Sequence, residues 1–417
     1  MAIYDGTNGP TLSLEYAIYA SGSLTWYKFG DGSSNPMRDV MQVSIRRGRT
    51  REDQTIQPGV MNVLFDNRLG NYDPDNSSSI YKQGSVLAMA SNRLIRLTAT
   101  IGGSTYTVFT GFIEMMDASV DLSPTVTMTV VDALQQLSKN VFTGDRPIEL
   151  TSTRLTNVLP ASFTALSGLN VSLSLSGYRF VQAQSYDGVN LGQIAQDCVN
   201  ADAGYLYVTG DNTLVFKPFE EFRSTKAEKF RLSDDHVMAG DTTIEYDSVT
   251  SNVGAKFLVN TAEVDYGADT KATATDSGSI STYGTSQVSV QNYLQNSMSP
   301  AVGLAGVLAN RLAYPKTRIS EVGFDAIGLS TSLWQKLLST ELTDSVGLER
   351  QTVDGRSLSY LNTLGAVNHD IKPDNWRVTL QLETYRSAIS YAYNPTTNWR
   401  IFILDTDTLD STRKLWF

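Results

Sequence analysis

Three arginines crowd one short stretch, Ile45-Arg46-Arg47-Gly48-Arg49. A guanidinium is a planar fork of donors that meets a carboxylate at two points, so Arg46, Arg47 and Arg49 suit the gripping of an anionic group. From sequence the readings are a carboxylate contact, within the chain or between subunits, with Asp66 or another acid as partner, and a solvated strand end. Downstream, Asp66, Asn67, Asn71, Asp73, Asp75 and Asn76 are oxygen ligands of the kind calcium prefers. Their spacing misses the D-x-[DN]-x-[DN]-G loop, and Asn and Asp side chains mimic turns, with Asp73-Pro74 starting one. Arg46, Arg47, Arg49, Asp66 and Arg68, with Trp399 and Trp416 near the C-terminal end, are the candidate interface residues.

Catalytic constellations are harder to draw. His236 follows Asp234-Asp235 and His369 precedes Asp370, but a triad is defined by geometry and there is no G-x-S-x-G elbow. Both histidines are expected at the surface beside acids. Cys198 falls on the apolar face of a predicted helix, where a thiol packs rather than reacts. The 43 Asp and Glu residues always permit a pair spaced for glycoside hydrolysis, yet nothing marks one. Neither a phosphate-cradling P-loop nor H-E-x-x-H occurs. The expectation is a non-enzymatic chain with no cofactor and no metal.

With 417 residues the chain is longer than one core usually serves, so two to four domains are expected. A single cysteine excludes a disulfide framework and a cysteine zinc site, which fits assembly in a reducing cytoplasm. The formal charge is −10, and only 18% of residues are charged, so Ser, Thr, Asn, Gln and Gly must wet the surface. An acidic chain repels a phosphate backbone, which disfavours specific DNA binding while allowing a channel past which DNA slides. There is no apolar run long enough for a membrane segment, and Met1-Ala2-Ile3-Tyr4-Asp5 lacks the marks of a signal peptide. The protein is read as soluble.

Elements must position these residues. Residues 1–36 read as an N-terminal arm whose Tyr16, Tyr19, Trp26, Tyr27 and Phe29 pack on its own domain or on a neighbour. From 37 to 140 alternation signals strands: Met41, Val43 and Ile45 point one way, Gln42, Ser44 and Arg46 the other. Gly102-Gly103 predicts a tight hairpin, and Asp132 with Gln135 a capping box before a short helix. Residues 141–230 read as a small α/β domain, with an amphipathic helix over Asn190 to Ala201 and a hairpin from Tyr205 to Phe216. Strands return in 231–390: Ser248 to Phe257, Arg318 to Phe324, Ser345 to Arg350, Gly365 to Ile371 and Trp376 to Leu382. Helices are expected from Ser299 to about Leu312, stopped by Pro315, and around Trp334, Leu337 and Leu338. Within this region Thr261 to Ser299 is a long Ser/Thr-rich insertion without a core signal, of the kind that is functional or disordered. Residues 391–417 form a C-terminal tail whose apolar end needs a cover.

The arginine stretch, Val63-Leu64-Phe65-Asp66-Asn67-Arg68 and Asn71-Tyr72-Asp73-Pro74 together resemble the start of phage tail hub proteins. These are the minor tail or baseplate hub proteins of long-tailed phages, common among those of Gram-positive hosts. In that family an RRGR strand end precedes a strand ending LDNRD and then YDP; Leu69 stands here where the second Asp is usual. Arg93 to Leu97 with Phe109 to Ile113 resemble the family's core hairpin, and Val131 to Leu137 its D-A-L-x-x-L helix. Asp276 to Gly284 is similar to its D-x-x-S-x-x-x-Y-G element, and Asn375 to Leu380 to its W-x-V-T-L strand.

The resemblance implies a mainly β chain with α+β parts, in which two tail-tube-like β-barrel domains flank a small α/β domain. The fold would be similar to the trimeric baseplate hub of contractile tails, where three chains present six barrels to a sixfold tube. It implies a homotrimeric ring at the virion's tail tip, assembled in the host cytoplasm. Such a ring touches the tail tube or distal-tail protein, the tape measure protein and tip or fibre proteins, with DNA only in passage. Acidic side chains lining the lumen would keep the genome from sticking. The alternatives are a hexameric distal-tail adaptor and a receptor- or glycan-binding tip protein.

Overall fold

The computed structural model describes residues 9–384, apart from 21–22, 31–36, 50–56, 74–75, 84–85, 88–89, 120–122, 160–172, 176, 178, 203, 219–226, 235–241, 253–257, 268–269, 291–297, 316–317 and 352–356. His236, Trp399 and Trp416 therefore lie outside the described residues.

The chain opens with β1 (Thr11–Ala20), β2 (Ser23–Lys28), β3 (Val40–Gly48), β4 (Gln57–Asp66), β5 (Lys82–Gln83), β6 (Val86–Leu87), β7 (Leu94–Ile101), β8 (Ser104–Ser119), β9 (Thr125–Val131) and helix α1 (Ala133–Leu137). In the sheet these run β2-β1-β7-β8-β9-β4-β3, without β5 and β6. Alternation places the inward residues: Gly59, Met61, Val63 and Phe65 of β4 are buried while the residues between them are half exposed. The β7–β8 turn has Gly102 and Gly103 at φ 58° and 79°, the positive values a two-residue hairpin demands. The expected arm is instead a hairpin of this sheet, with β1 paired to β7 from Thr11↔Thr100 to Tyr16↔Ile95. Its Leu12, Leu14 and Tyr16 are core residues, and Phe29 just beyond it is fully buried.

The middle of the chain carries β10 (Val141–Arg146), β11 (Glu149–Leu150), α2 (Thr151–Val158), β12 (Leu173–Leu175), β13 (Phe180–Val181), β14 (Gln184–Asn190), α3 (Leu191–Asp202), β15 (Tyr205–Val208) and β16 (Leu214–Lys217). The predicted helix and hairpin are α3 and β15–β16. Leu191, Ile194, Ala195 and Cys198 of α3 pack with Leu155, Val158 and Phe216, and with Leu94 and Phe112 of the large sheet. Arg154 of α2 is fully buried, donating to Glu149 (2.6 Å), to the Tyr186 hydroxyl (2.8 Å) and to the carbonyls of Pro147 and Gln182.

The last part comprises β17 (Arg231–Ser233), β18 (Thr243–Glu245), β19 (Ser248–Asn252), β20 (Thr261–Gly267), β21 (Thr270–Thr275), α4 (Ser277–Tyr283), β22 (Gln287–Val290), α5 (Met298–Arg311), β23 (Arg318–Asp325), α6 (Thr331–Leu338), β24 (Ser345–Gln351), β25 (Ser357–Lys372) and β26 (Asn375–Thr384). The Ser/Thr-rich insertion is a folded module: β21-β20-β22 form a sheet against α5. Its core is mostly alanine, with Ala262, Ala272, Ala274, Ala301, Ala305 and Ala309 buried around Val264. Small apolar side chains at close approach bury a sheet against a helix without a visible hydrophobic run. The D-x-x-S-x-x-x-Y-G element is α4 with its caps. Asp276 accepts from Ser279 N, Gly284 closes the end at φ 77°, and the buried Ser279 hydroxyl donates to the Ala313 carbonyl.

Beneath these elements lies an internal repeat. In the first part β3-β4-β9-β8-β7 are neighbours in that order, and in the last part β19-β23-β26-β25-β24 are neighbours in the same order, with every pairing antiparallel. The match reaches single residues. β8 bulges between Ile113 and Met115 against β9, and β25 between Leu364 and Ala366 against β26. Asn92 and Thr343 both hold positive φ, 63° and 75°, and both donate through their backbone N–H to the carbonyl beside the bulge, that of Ile113 or Leu364. Thr129 donates to Asn62 (2.9 Å) where Gln381 donates to Glu321 (2.5 Å). Val63-Leu64-Phe65-Asp66 corresponds to Val322-Gly323-Phe324-Asp325, and Val126-Thr127-Met128 to Val378-Thr379-Leu380.

The two units are joined edge to edge. β3 pairs with β25 from Val43↔Ile371 to Gly48↔Ala366, so both belong to one fourteen-stranded sheet over one continuous core. Among the described residues no sheet closes on itself. The chain is mainly β, and no described helix is long and apolar enough to cross a membrane.

Candidate functional site

The arginine stretch sits at the joint between the two units. Arg46, on the opposite face of β3 from Ile45, is exposed. Arg47 is in phase with Val43 and Ile45 and is buried, donating to Glu341 at 2.6 Å. Glu341 also accepts from Gly210 N at 3.0 Å, at the β15–β16 turn. Arg49 is buried and forks onto Glu383 of β26 through Nε and Nη2, the latter at 2.6 Å. Its Nη2 also donates to the Tyr205 hydroxyl (3.0 Å), which itself donates to Glu383 (2.8 Å). Arg47 and Arg49 thus tie together β3, the second unit and the α/β region. Removing one partner of a buried pair strands the other charge, at roughly 3–5 kcal/mol.

Backbone geometry at the joint leaves no slack. Gly48 has φ +100°, and a Cβ there would lie 2.2 Å from the Gly365 carbonyl oxygen, while Arg49 N donates to that same oxygen at 3.0 Å. Glycine is needed because the strands touch and the conformation is left-handed. Gly365 is the bulge residue of β25, so the joint and the repeat meet at one residue pair.

Asp66 partners Arg68, not the three arginines. The Arg68 guanidinium lowers the Asp66 pKa, and both ends of the pair are solvated, so it is worth little. The following turn serves packing. Asn67 accepts from Tyr72 N (3.0 Å), and Asn76 donates to the Gly70 carbonyl (2.8 Å). Tyr72 stacks on Phe65 at 4.2 Å and its hydroxyl donates to Asp39, within an aromatic cluster that includes Tyr81, Phe29 and Tyr16. The turn reading describes the contacts of Asn67 and Asn76, while Pro74 and Asp75 lie outside the described residues. Among the described residues no group of three or more His, Cys, Asp or Glu is placed to hold a metal ion.

Two titratable groups lie beside Arg47, and His369 departs from the sequence expectation. His369 is buried, not at the surface, and its Nδ1 accepts from Trp376 Nε1 at 3.1 Å. Burial, with the Arg47 charge, lowers its pKa to about 3. The signal was the strand phase: His369 shares a face with Val367 and Ile371, both buried. Asp132 caps α1 through Leu134 N (2.9 Å) and accepts from Gly59 N (2.7 Å). Burial raises it to about 7 despite these bonds. The other half of the expected capping box is absent, since the Gln135 side chain points to Glu114 at 3.5 Å. Cys198 is buried as expected, and burial pushes its thiol pKa up.

Two open clefts of about 570 and 510 Å³ flank the segment before α6. One is lined by Gly102, Gly103, Thr100 and Trp334, the other by Asp247, Asp325 and Tyr246. In the second, Asp247 is held by Arg377 and Ser330 caps α6.

The comparisons accord with this architecture. No protein-family model matches the chain, and no curated protein matches it. Among solved structures it is similar to the 43 kDa tail protein of prophage MuSo2 from Shewanella oneidensis, with TM-score 0.57 and 12% identity over 90% of this chain and 98% of that one. It is also similar to a tail protein from Neisseria meningitidis MC58, with TM-score 0.56 and 10% identity over 90% of this chain and 96% of that one. The chain has the fold of these phage tail proteins, nearly end to end, as the resemblance of its motifs implied.

Proposed function

We propose that this chain is a structural hub protein of a phage tail. In this role it forms a homotrimeric ring at the tail tip that joins the sixfold tube to tip proteins or fibres and lets DNA pass. The observation that carries the proposal is the internal repeat. Two like units joined edge to edge in each chain let three copies present six equivalent units, which is what a threefold part needs to dock onto a sixfold tube. Each unit corresponds to one tail-tube-like barrel, in the regions 37–140 and 231–390, flanking the α/β region 141–230.

The fold likeness to two phage tail proteins supports a virion component assembled in the host cytoplasm. Its neighbours would be the tail tube or distal-tail protein, the tape measure and the tip proteins. The role needs no catalysis and no cofactor. A hexameric distal-tail adaptor would carry one ring unit per chain, and the repeat weighs against it. Mass measurement of the soluble assembly, with particle averages of the tail tip, tests the proposal. Three copies with six subunit-like densities are expected. Six copies, or release of sugars or peptides from host cell wall by the purified protein, would overturn it.

A further inference from the structure

Among the described residues the repeat leaves two strand edges uncovered that correspond to the two edges joined within the chain. β25 pairs with β24 along its first part and, on the same side, with β3 along its second part, which buries Ala366, Val367 and His369. β8 is built alike: β7 covers it as far as Phe112, and beyond the bulge no described strand lies on that side. There Met115, the counterpart of Ala366, is 51% exposed, and Asp117, Ala118 and Ser119 are exposed. The counterpart of β3 is β19, which among the described residues pairs with β23 alone. Ser248, Thr250, Ser251 and Asn252 of β19 are exposed, whereas Val43 and Ile45 of β3 are buried.

We propose that β19 of one copy pairs antiparallel with the end of β8, Asp117 to Ser119, of the next copy, repeating between chains the β3–β25 joint made within each. This rests on the ring reading above and names the contact that builds the ring. The occupant is fixed by correspondence: each free edge has the strand order of one half of a joint already formed, and β8 shares the bulge of β25 as well. Transferring the register Asn368↔Arg46, His369↔Ile45 and Asp370↔Ser44 sets Asp117 near Asn252, Ala118 near Ser251 and Ser119 near Thr250. No like charges meet in that arrangement. An exposed edge invites pairing, and the contact covers Asp117, Ala118 and Ser119. Each copy offers one edge of each kind, so the contact is head-to-tail and closes as a ring when the rotation allows.

Cysteines at Asp117 and Asn252, together in the full chain, test the pairing with a short bis-maleimide. Both sites are exposed, and the native Cys198 is buried. An Arg46→Cys, Asn368→Cys variant reports the equivalent joint inside the chain. Covalent ladders ending at the ring's copy number, present in the double variant and absent from D117C or N252C alone, are the expected result. An assembly of unchanged mass that stays uncrosslinked refutes the strand pairing and leaves the ring reading standing. A chain that remains monomeric at every concentration refutes both.

Discussion

At the scale of single residues, two buried titratable groups near Arg47 act on stability with opposite signs. His369 falls from the usual 6.5 to about 3, so its contribution is fully present above 6.5 and is lost as pH drops from there toward 3. Asp132 rises from 3.8 to about 7, so in that window the folded chain holds a proton the unfolded chain has released, and stability declines as pH rises. Each group alone gives a slope of about 1.4 kcal/mol per pH unit, and where the windows overlap the slopes offset. His369→Gln keeps an acceptor for Trp376 and removes one of the two. Urea unfolding at pH 4.5 and 6.5 should then show the variant losing roughly 2 kcal/mol across that interval, while the parent stays nearly flat. A parallel response of both proteins would mean that His369 does not titrate in this way.

At the scale of elements, the inserted module between β19 and β23 occupies the place that the short β3–β4 connection holds in the first unit. It packs on the α/β region through Val181 and Ala201, and Gln182 donates to the Tyr266 carbonyl at 2.9 Å. Replacing residues 258–314 by a short Gly/Ser turn should therefore leave the large sheet folded. The melting temperature should fall by a few degrees, because exposing Val181 and Ala201 costs only about 2 kcal/mol. Loss of the native circular dichroism spectrum would show that the sheet depends on the module. This element was the least legible part of the sequence, because an alanine core carries little hydrophobic contrast. Strands such as β7 and β9, and helices α3 and α6, were legible because their bulky apolar residues keep a clean period, whereas in β3 a bulge between Val40 and Gln42 leaves Met41 exposed while Val43 and Ile45 point inward. The repeat stayed hidden for a different reason. Register and bulges define it, and only Val-x-Phe-Asp and Val-Thr-Met/Leu spell it in residues. The arginines were picked out by type, but which of them is buried follows from phase: Arg47 continues Val43 and Ile45, and Arg46 does not.

At the scale of the whole molecule, two regions that the family resemblance assigns to distinct barrels share one sheet and one core. Met61, Val63 and Phe109 from the first unit and Trp334, Trp376 and Leu380 from the second belong to the same buried cluster. Neither unit can lose its inner strands without baring the other, so both should unfold in a single transition. Hydrogen exchange should show β4 and β9 amides opening with the same free energy as those of β23 and β26. Gly48→Val tests the coupling at its tightest point. A side chain there meets the Gly365 carbonyl and must adopt φ +100°, a cost of about 3 kcal/mol or more. If the joint couples the units, that loss appears equally in the exchange of both. If they are independent bodies that merely touch, G48V loosens β3 and β25 and leaves the deeper strands of each unit protected as before.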